Sequence, residues 1–113
     1  MAQRRMLARS VVTGDRFRTM RPKTQAFYLQ LSVEADDDGF VSNVQTLARG
    51  LGCEPVHIEE LERNGFLYSL GEGVVLLRHW KVNNTIQKDR YRPSVYHDLL
   101  RGFEDTDDGY RSR

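Results

Sequence analysis

The first periodic stretch of apolar residues lies in the segment TQAFYLQLSVE. Phe27 and Leu31 are four residues apart there, a spacing that places both on one face of a helix. Pro22 favours a helix start just upstream, because its missing N–H would have no partner in the first turn. We predict a helix over about 22–34, an acidic turn at 36–39 and one short strand at 40–41.

Two further amphipathic stretches follow closely on one another. The segment VQTLARGLG predicts a second helix, with Ser42 or Asn43 as its cap. Its inner face is expected to hold Val44, Leu47, Ala48 and Leu51. A third helix is expected to open at Pro55, to bury Ile58 and Leu61, and to stop at Asn64-Gly65. Two helices joined this tightly indicate a helix-turn-helix.

The pattern then changes to that of β-structure. Residues 66–70 and 74–80 flank the loop Gly71-Glu72-Gly73, which predicts a hairpin, and alternation along its second strand should send half of that strand inward. Trp80 is expected in the core rather than stacked on a base, and Tyr96 at its edge. This order of elements predicts a mainly α fold with a small β-hairpin, an α+β winged helix-turn-helix in which the hairpin is the wing.

A basic arm and a last helix complete the predicted architecture. The polar segment 81–93 shows no clear period and is expected to form an ordered or semi-ordered arm. Ser94 is a predicted cap for a C-terminal helix whose apolar stripe is Val95, Leu99 and Phe103, and the end of the chain reads as a frayed tail. We therefore expect a winged-helix domain over 1–98, followed at 99–113 by the end of that helix and the tail.

Composition excludes several classes of protein. The 113 residues are 39% hydrophobic and 29% charged, an ordinary globular balance. No apolar run approaches the length of about 20 residues that spans a bilayer, and no signal-peptide pattern follows the basic start. The one cysteine, Cys53, fits a reducing compartment and is expected to be a small buried hydrophobe. We expect a cytoplasmic protein of a bacterial host cell, without a membrane partner.

The formal net charge of +1 conceals an uneven distribution. Residues 1–23 hold seven Lys or Arg against one Asp, and residues 78–92 hold five against one. Residues 34–62 hold eight acidic residues against one Arg. If the two basic regions fold onto one side of the molecule, they form the positive surface that a phosphate backbone needs. If they do not, the charges are an ordinary solvated surface.

Several of these segments resemble a known family. AQRRML at the start, TQAFYLQLSVEADDDGFVSN, and above all GVVLLRHWKVNNTIQKDRYRPSVY are similar to the N-terminal domain of replisome organizers from phages and prophages of Gram-positive hosts, which are related to DnaD-type primosomal proteins. The resemblance covers roughly residues 1–98. It implies a winged helix that binds double-stranded DNA at a replication origin and works with primosome proteins. Typical relatives continue into a second domain that engages the helicase-loading machinery, so the resemblance does not imply helicase recruitment for this chain.

The arm holds most of the candidate DNA-binding residues. Phosphate binding needs cations that form charge-assisted hydrogen bonds, and neutral donors and a flat ring add to them. The predicted set is Arg4, Arg5, Arg63, Arg78, Lys81, Asn83, Asn84, Gln87, Lys88, Arg90, Tyr91 and Arg92. From the pattern alone, a solvated linker explains the arm about as well, and the resemblance favours DNA. The N-terminal arginines are candidates for a minor groove, with a disordered start as the alternative.

The third predicted helix is a poor reader of bases. Glu54, Glu59, Glu60 and Glu62 are expected on its outward face, where they would repel phosphates. Only His57, Arg63 and Asn64 could favour DNA there. A helix that packs the core and shows an acidic face to water or to a partner is at least as good an interpretation.

The sequence shows no pattern typical of an active site or a metal site. The acidic stretch from Glu34 to Gln45 imitates a calcium loop but lacks its first Asp and last Glu, so we reject calcium. The three histidines lack neighbours at ligand spacing, and no glycine-rich phosphate loop or nucleophile signature is present. We expect no enzyme, no cofactor and no metal. Two alternatives to origin binding stay open, namely an interaction or homo-oligomerisation module of a primosome and a small phage transcriptional regulator.

Overall fold

A helix of thirteen residues runs through the middle of the molecule in the computed structural model, which describes residues 4–113. This is α3, Pro22–Glu34, and its bounds agree with the sequence prediction. Two short helices precede it, α1 at Arg9–Val12 and α2 at Asp15–Arg18. The tandem helices are α4, Val44–Gly50, and α5, Pro55–Arg63. A last α-helix, α6, covers Trp80–Asn83, and a 3-10 helix covers His97–Gly102.

Two small antiparallel sheets complete the fold. The first contains β1 (Phe40–Val41), β2 (Leu67–Ser69) and β3 (Val75–Leu77) in the order β1-β3-β2. The predicted hairpin is therefore present, and the predicted short strand pairs with its second strand. The second sheet is a hairpin of β4 (Phe103–Thr106) and β5 (Gly109–Ser112). The mixed α+β class predicted from the sequence is confirmed.

The core is built around aromatic side chains. Phe17, Tyr28 and Phe66 form a triangle of edge-to-face contacts with ring centroids 5.4 to 5.6 Å apart, an arrangement that their quadrupoles favour. Trp80 is 1% exposed, as predicted, and its Nε1–H donates to the Asp37 carbonyl at 3.0 Å. Gly39 has φ +96°, and a Cβ there would stand 2.6 Å from the Trp80 Cβ. The acidic turn therefore packs directly on the indole.

The sheet has both faces covered, so the predicted alternation in β3 is wrong. Val75, Leu76 and Leu77 are all buried. Leu76 shares its face with Phe40 and Tyr68 through the strand register. Tyr96 packs on Phe40 at 5.7 Å and Phe103 on Tyr68 at 4.9 Å, so the C-terminal segment covers the face that would otherwise meet water.

The predicted C-terminal helix and tail are also wrong. Residues 97–102 form only the 3-10 helix, and the Ser94 hydroxyl accepts from the Tyr96 N–H in a local turn instead of capping an α-helix. The apolar stripe is not formed, since Val95 is 92% exposed while Phe103 lies in β4. Tyr110, expected in the tail, is buried. Because β4 and β5 pair with each other and pack on the core, residues 99–113 belong to the same compact unit as the rest.

The cap and the inner face of α4 differ in part from their prediction. Asn43 occupies the N-cap position of α4, but neither predicted cap makes a side-chain hydrogen bond to the helix. Val44 and Ala48 are buried, whereas Leu51 is 37% exposed and does not belong to the inner face. Within residues 4–113, no helix has both the length and the apolar character needed to cross a membrane.

Candidate nucleic-acid interface

The N-terminal segment lies along α6. The Met6 N–H donates to Asn84 Oδ1 and the Ala8 N–H to Asn83 Oδ1, each at 2.8 Å. Asn83 also donates to the Tyr28 hydroxyl at 3.0 Å. Both asparagines are more than nine-tenths buried and bind groups of the chain itself, so the structure gives their predicted contact with DNA no support. They satisfy backbone groups that would otherwise lose their hydrogen bonds on burial.

This contact determines where the first arginines lie. Arg5 Nη2 donates to the Ala35 carbonyl at 2.8 Å, and its guanidinium carbon stands 5.3 Å from the centre of the Trp80 ring. Arg5 is half-buried and helps to hold the segment in place, whereas Arg4 is exposed. Both lie beside Asn84, the residue from which the exposed part of the arm continues.

Two buried carboxylates hold the far end of the arm. Asp38 Oδ1 accepts from the Tyr91 hydroxyl at 2.6 Å, and Asp38 Oδ2 accepts from the Ser94 N–H at 2.9 Å. Asp37 Oδ2 accepts from the Arg92 N–H at 3.0 Å. The acidic turn that imitates a calcium loop in sequence is therefore an anchor for residues 91–94. Tyr91, predicted to meet DNA, has its hydroxyl engaged by Asp38.

The environment of this anchor shifts two pKa values. Burial alone would raise the pKa of the Asp38 carboxyl, but hydrogen bonds from Tyr91, the Ser94 N–H and His97 outweigh burial and leave that pKa below its usual value. Burial, together with the hydrogen bond to Asp38 and its negative charge, raises the pKa of the Tyr91 hydroxyl. Both shifts keep the donor and acceptor in the states that the hydrogen bond requires.

Between these two fixed ends, the arm presents its cations to solvent. Four of the predicted DNA contacts are exposed to solvent, as binding to DNA requires. They are Gln87 and the three cations Lys88, Arg90 and Arg92. None of the three cations lies within 4 Å of a carboxylate of residues 4–113. Lys81, at the start of the arm, differs because its Nζ pairs with Asp105 at 2.8 Å. That pair is half-exposed and contributes little, so Lys81 is only partly neutralised.

Arg63 and Arg78 do not join this surface. Arg63 is the exposed last residue of α5, and Arg78 is half-buried where β3 ends, at the opposite end of α6 from the arm. No Lys or Arg occurs from 64 to 77, so β2, β3 and the turn between them carry no cation, and Arg78 is the first one after them. Arg16, which the sequence analysis did not select, donates to the Asn64 carbonyl at 3.4 Å. Only the tertiary contact reveals this, since nothing in the local sequence distinguishes Arg16.

Helix α5 uses its polar residues for packing. His57 accepts from the Glu54 N–H at 2.9 Å in a reciprocal capping box, and both His57 and Glu60 are buried. Glu60 accepts from the Thr24 hydroxyl at 2.6 Å and pairs with Arg21 at 3.2 Å. These contacts hold the pKa of Glu60 below its usual value, the Thr24 hydrogen bond contributing most. The outward position predicted for Glu60 is wrong, and buried His57 receives no support as a DNA contact.

Within the part of the chain that the structure describes, no group of three or more His, Cys, Asp or Glu side chains is arranged to hold a metal ion. Cys53 is half-buried and packs against the core, and burial raises its thiol pKa.

A scan of protein-family models and searches of curated proteins and of solved structures found no significant match to this chain. The resemblance to replisome organizers therefore stays a prediction.

Proposed function

We propose that this protein is a winged-helix domain that binds double-stranded DNA without catalysing a reaction. The order of elements from α3 to β3, with β1 paired to β3 and β2 at the far edge, supports the winged-helix assignment. The tandem helices α4 and α5 would be the helix-turn-helix, and β2–β3 the wing. The resemblance of the sequence to phage replisome organizers supports a role in initiating DNA replication.

The observation that carries this proposal is the docking of the N-terminal segment on α6. It places Arg4 and Arg5 beside Asn84, where the arm with its exposed Lys88, Arg90 and Arg92 begins. The nearby Asp37 and Asp38 are buried and bind groups of the arm, so they lie beneath the cationic surface rather than across it. A phosphate backbone would meet the exposed cations Arg4, Lys88, Arg90 and Arg92 at this place.

Base reading by α5 receives little support. Its exposed residues are mainly Glu59 and Glu62, with Arg63 at the end, and carboxylates near phosphates oppose binding. Asn64 donates its side-chain amide to the Glu60 carbonyl at 2.8 Å. We therefore propose that the arm and the N-terminal arginines supply most of the affinity, through phosphate contacts that carry little sequence information.

Removal of the cations of the arm tests this proposal. The triple variant Lys88→Ala, Arg90→Ala, Arg92→Ala should bind a short duplex more weakly, and its plot of log K against log salt should be flatter by about 2 to 3 units, since each lost phosphate contact contributes about 0.9. Fluorescence anisotropy over a series of salt concentrations measures both quantities. A matched control removes three exposed arginines elsewhere, Arg18, Arg49 and Arg101. Equal losses in the two triple variants would contradict the assignment of the arm.

A protein-interaction module remains a second candidate, because Val95 and Leu99 are exposed apolar side chains in the C-terminal segment. A small phage regulator would share the proposed DNA surface.

Selection of bound fragments from the cognate phage or host genome separates a role in replication from a role in regulation. Repeats at an origin would support replication, and promoter operators would support regulation.

A further inference from the structure

A cleft of about 400 Å³ opens between α2, the end of α5 and the residues that join β3 to α6. Val11, Phe17, Phe66 and Val82 form its apolar part. Arg16, Arg78 and His79 also line it. About half of the lining is polar, and ligand sites commonly combine an apolar wall with a few converging polar groups. This cleft lies beside the start of α6, whereas the exposed part of the arm follows the end of α6.

Two guanidinium groups converge at one point of the cleft. A Cβ placed on Gly65 would stand 3.1 Å from Arg78 Nη1 and 3.9 Å from Arg16 Nη1. Neither arginine lies within 4 Å of a carboxylate among residues 4–113. Within the same residues, the Arg16 side chain makes one long hydrogen bond, 3.4 Å, to the Asn64 carbonyl. Both cations are thus available to an anion that enters the cleft.

Two residues that line the cleft each have a buried polar atom without a partner. Arg78 Nε and His79 Nδ1 are both inaccessible and make no hydrogen bond. The His79 ring packs on Phe66 with centroids 5.3 Å apart, so its orientation is fixed. Buried donors without partners are rare in folded proteins, and a ligand rich in acceptors would supply the missing hydrogen bonds once the groups that cover these atoms move aside. In the tautomer with hydrogen on Nδ1, His79 is such a donor.

Two carboxylates stand at the rim of the cleft. Asp107 and Asp108 belong to the turn between β4 and β5, and both are exposed. Water and salt screen exposed charges more strongly than buried ones. They should therefore weaken anion binding without preventing it, and their removal should strengthen it.

We propose that this cleft binds a phosphate group through Arg16, Arg78 and His79. A phosphate offers several acceptor oxygens to converging donors, and guanidinium groups bind it with two parallel hydrogen bonds. The phosphate belongs either to a free phosphate or phosphomonoester or to a DNA backbone. The inference does not rest on the proposed function, because binding of inorganic phosphate can be measured whether or not the arm binds DNA.

Titration of the ¹⁵N-labelled protein with inorganic phosphate at constant pH and ionic strength tests the site. The amides of Asn64, Gly65 and His79 should show saturable shifts. Arg16→Gln should bind about tenfold more weakly, because it loses a charge-assisted contact. Arg18→Gln removes an equally exposed arginine of the same helix and should bind as the parent does. Shifts that do not saturate, or equal affinities of these two variants, would overturn the proposal.

Two further variants probe the donors and the rim. Arg78→Lys keeps the charge but removes Nε, and it should weaken phosphate binding several-fold. Asp107→Asn with Asp108→Asn should tighten binding about threefold, since two repelling charges are lost. A double variant that binds phosphate more weakly than the parent would contradict the arrangement.

The source of the phosphate follows from the salt dependence of duplex binding by Arg16→Gln. If the cleft takes a backbone phosphate, the slope of log K against log salt should fall by about one unit. An unchanged slope together with weakened inorganic phosphate binding assigns the cleft to a free phosphate or phosphomonoester.

Discussion

The Asp38 carboxylate is 1% exposed and accepts hydrogen bonds from Tyr91 and from the Ser94 N–H, while its backbone carbonyl accepts from the Tyr110 hydroxyl at 2.8 Å. One residue of the acidic turn thus connects the arm and the C-terminal hairpin. A charge buried this deeply is tolerated because it is fully hydrogen-bonded. In sequence, Asp38 is one of three adjacent aspartates and nothing distinguishes it.

The pKa of His79 predicts how the stability of the protein depends on pH. Burial, assisted by the positive charge of Arg78, lowers the pKa of His79 from 6.5 to about 4, while the negative charge of Asp108 acts in the opposite direction. The unfolded chain therefore binds a proton between pH 6.5 and 4 that the folded chain does not. The contribution of neutral His79 to stability is present above about pH 6.5 and is lost as the pH falls towards 4.

Replacement of this ring should reduce that dependence. Between pH 7 and pH 5, we expect the fall in the free energy of unfolding to be about 1 kcal/mol smaller in His79→Gln than in the parent, allowing for the partly exposed ring. Urea denaturation at both pH values measures it. His57 and His97 are present in both proteins and serve as the internal control. An identical pH dependence of the two proteins would show that His79 is not held neutral.

At the scale of elements, the C-terminal hairpin differs most from its sequence prediction. Its Tyr110 N–H donates to the Arg78 carbonyl and its carbonyl accepts from the Tyr68 hydroxyl, both at 2.8 Å. Gly109 has φ +109°, and a Cβ there would collide with the Arg78 carbonyl oxygen. Only glycine permits this close approach. The hairpin is thereby joined to the residue that follows β3.

Truncation of Tyr110 should therefore destabilise the whole fold. Tyr110→Ala should lower the free energy of unfolding by about 3 kcal/mol, through lost apolar contacts and a cavity. Tyr110→Phe should lower it by about 1 kcal/mol, because only the hydrogen bond to Asp38 is lost. Urea denaturation measures both, and Ser112→Ala, at an exposed position of the same strand, should be neutral. A fully stable Tyr110→Ala variant would mean that residues 103–112 contribute as little as a tail.

For the whole molecule, the uneven charge of the sequence becomes two separate groups of cations. One comprises Arg4, Arg5 and the exposed cations of the arm, and the other comprises Arg16 and Arg78 at the cleft. Many acidic residues of the middle of the chain are used internally, as in the pairing of Glu60 with Arg21. The +1 net charge therefore says little about the field that a ligand meets at either place.

Association between copies also belongs to this scale. If the exposed Val95 and Leu99 form a contact between two copies, sedimentation should show a fraction of dimer that rises with protein concentration. The double variant Val95→Asp, Leu99→Asp should then remain a monomer, because burying two carboxylates in an apolar contact is unfavourable. The same substitutions at exposed Leu29 and Val33 provide the control. If the parent protein is monomeric at all concentrations, the hypothesis that this surface forms a homo-oligomer is contradicted.

The sequence by itself determined the elements whose signals are local. Helix α3, the tandem helices and the β2–β3 hairpin follow from apolar spacing, Pro at helix starts and glycine in turns, all of which act within a few residues. Exposure of Lys88, Arg90 and Arg92 was equally predictable, since cations are rarely buried without a partner.

Only the tertiary structure decided the contacts between residues far apart in the chain. Asn83 and Asn84 bind backbone groups more than seventy residues away, and Asp38 binds Ser94 across 56 residues. In the C-terminal hairpin the Phe103 ring packs on Tyr68 of the first sheet and the Tyr110 hydroxyl donates to the Asp38 carbonyl, whereas a short isolated helix is only marginally stable in water. Local patterns carry no information on such partners, since burial and pairing energies arise only when the distant surfaces meet.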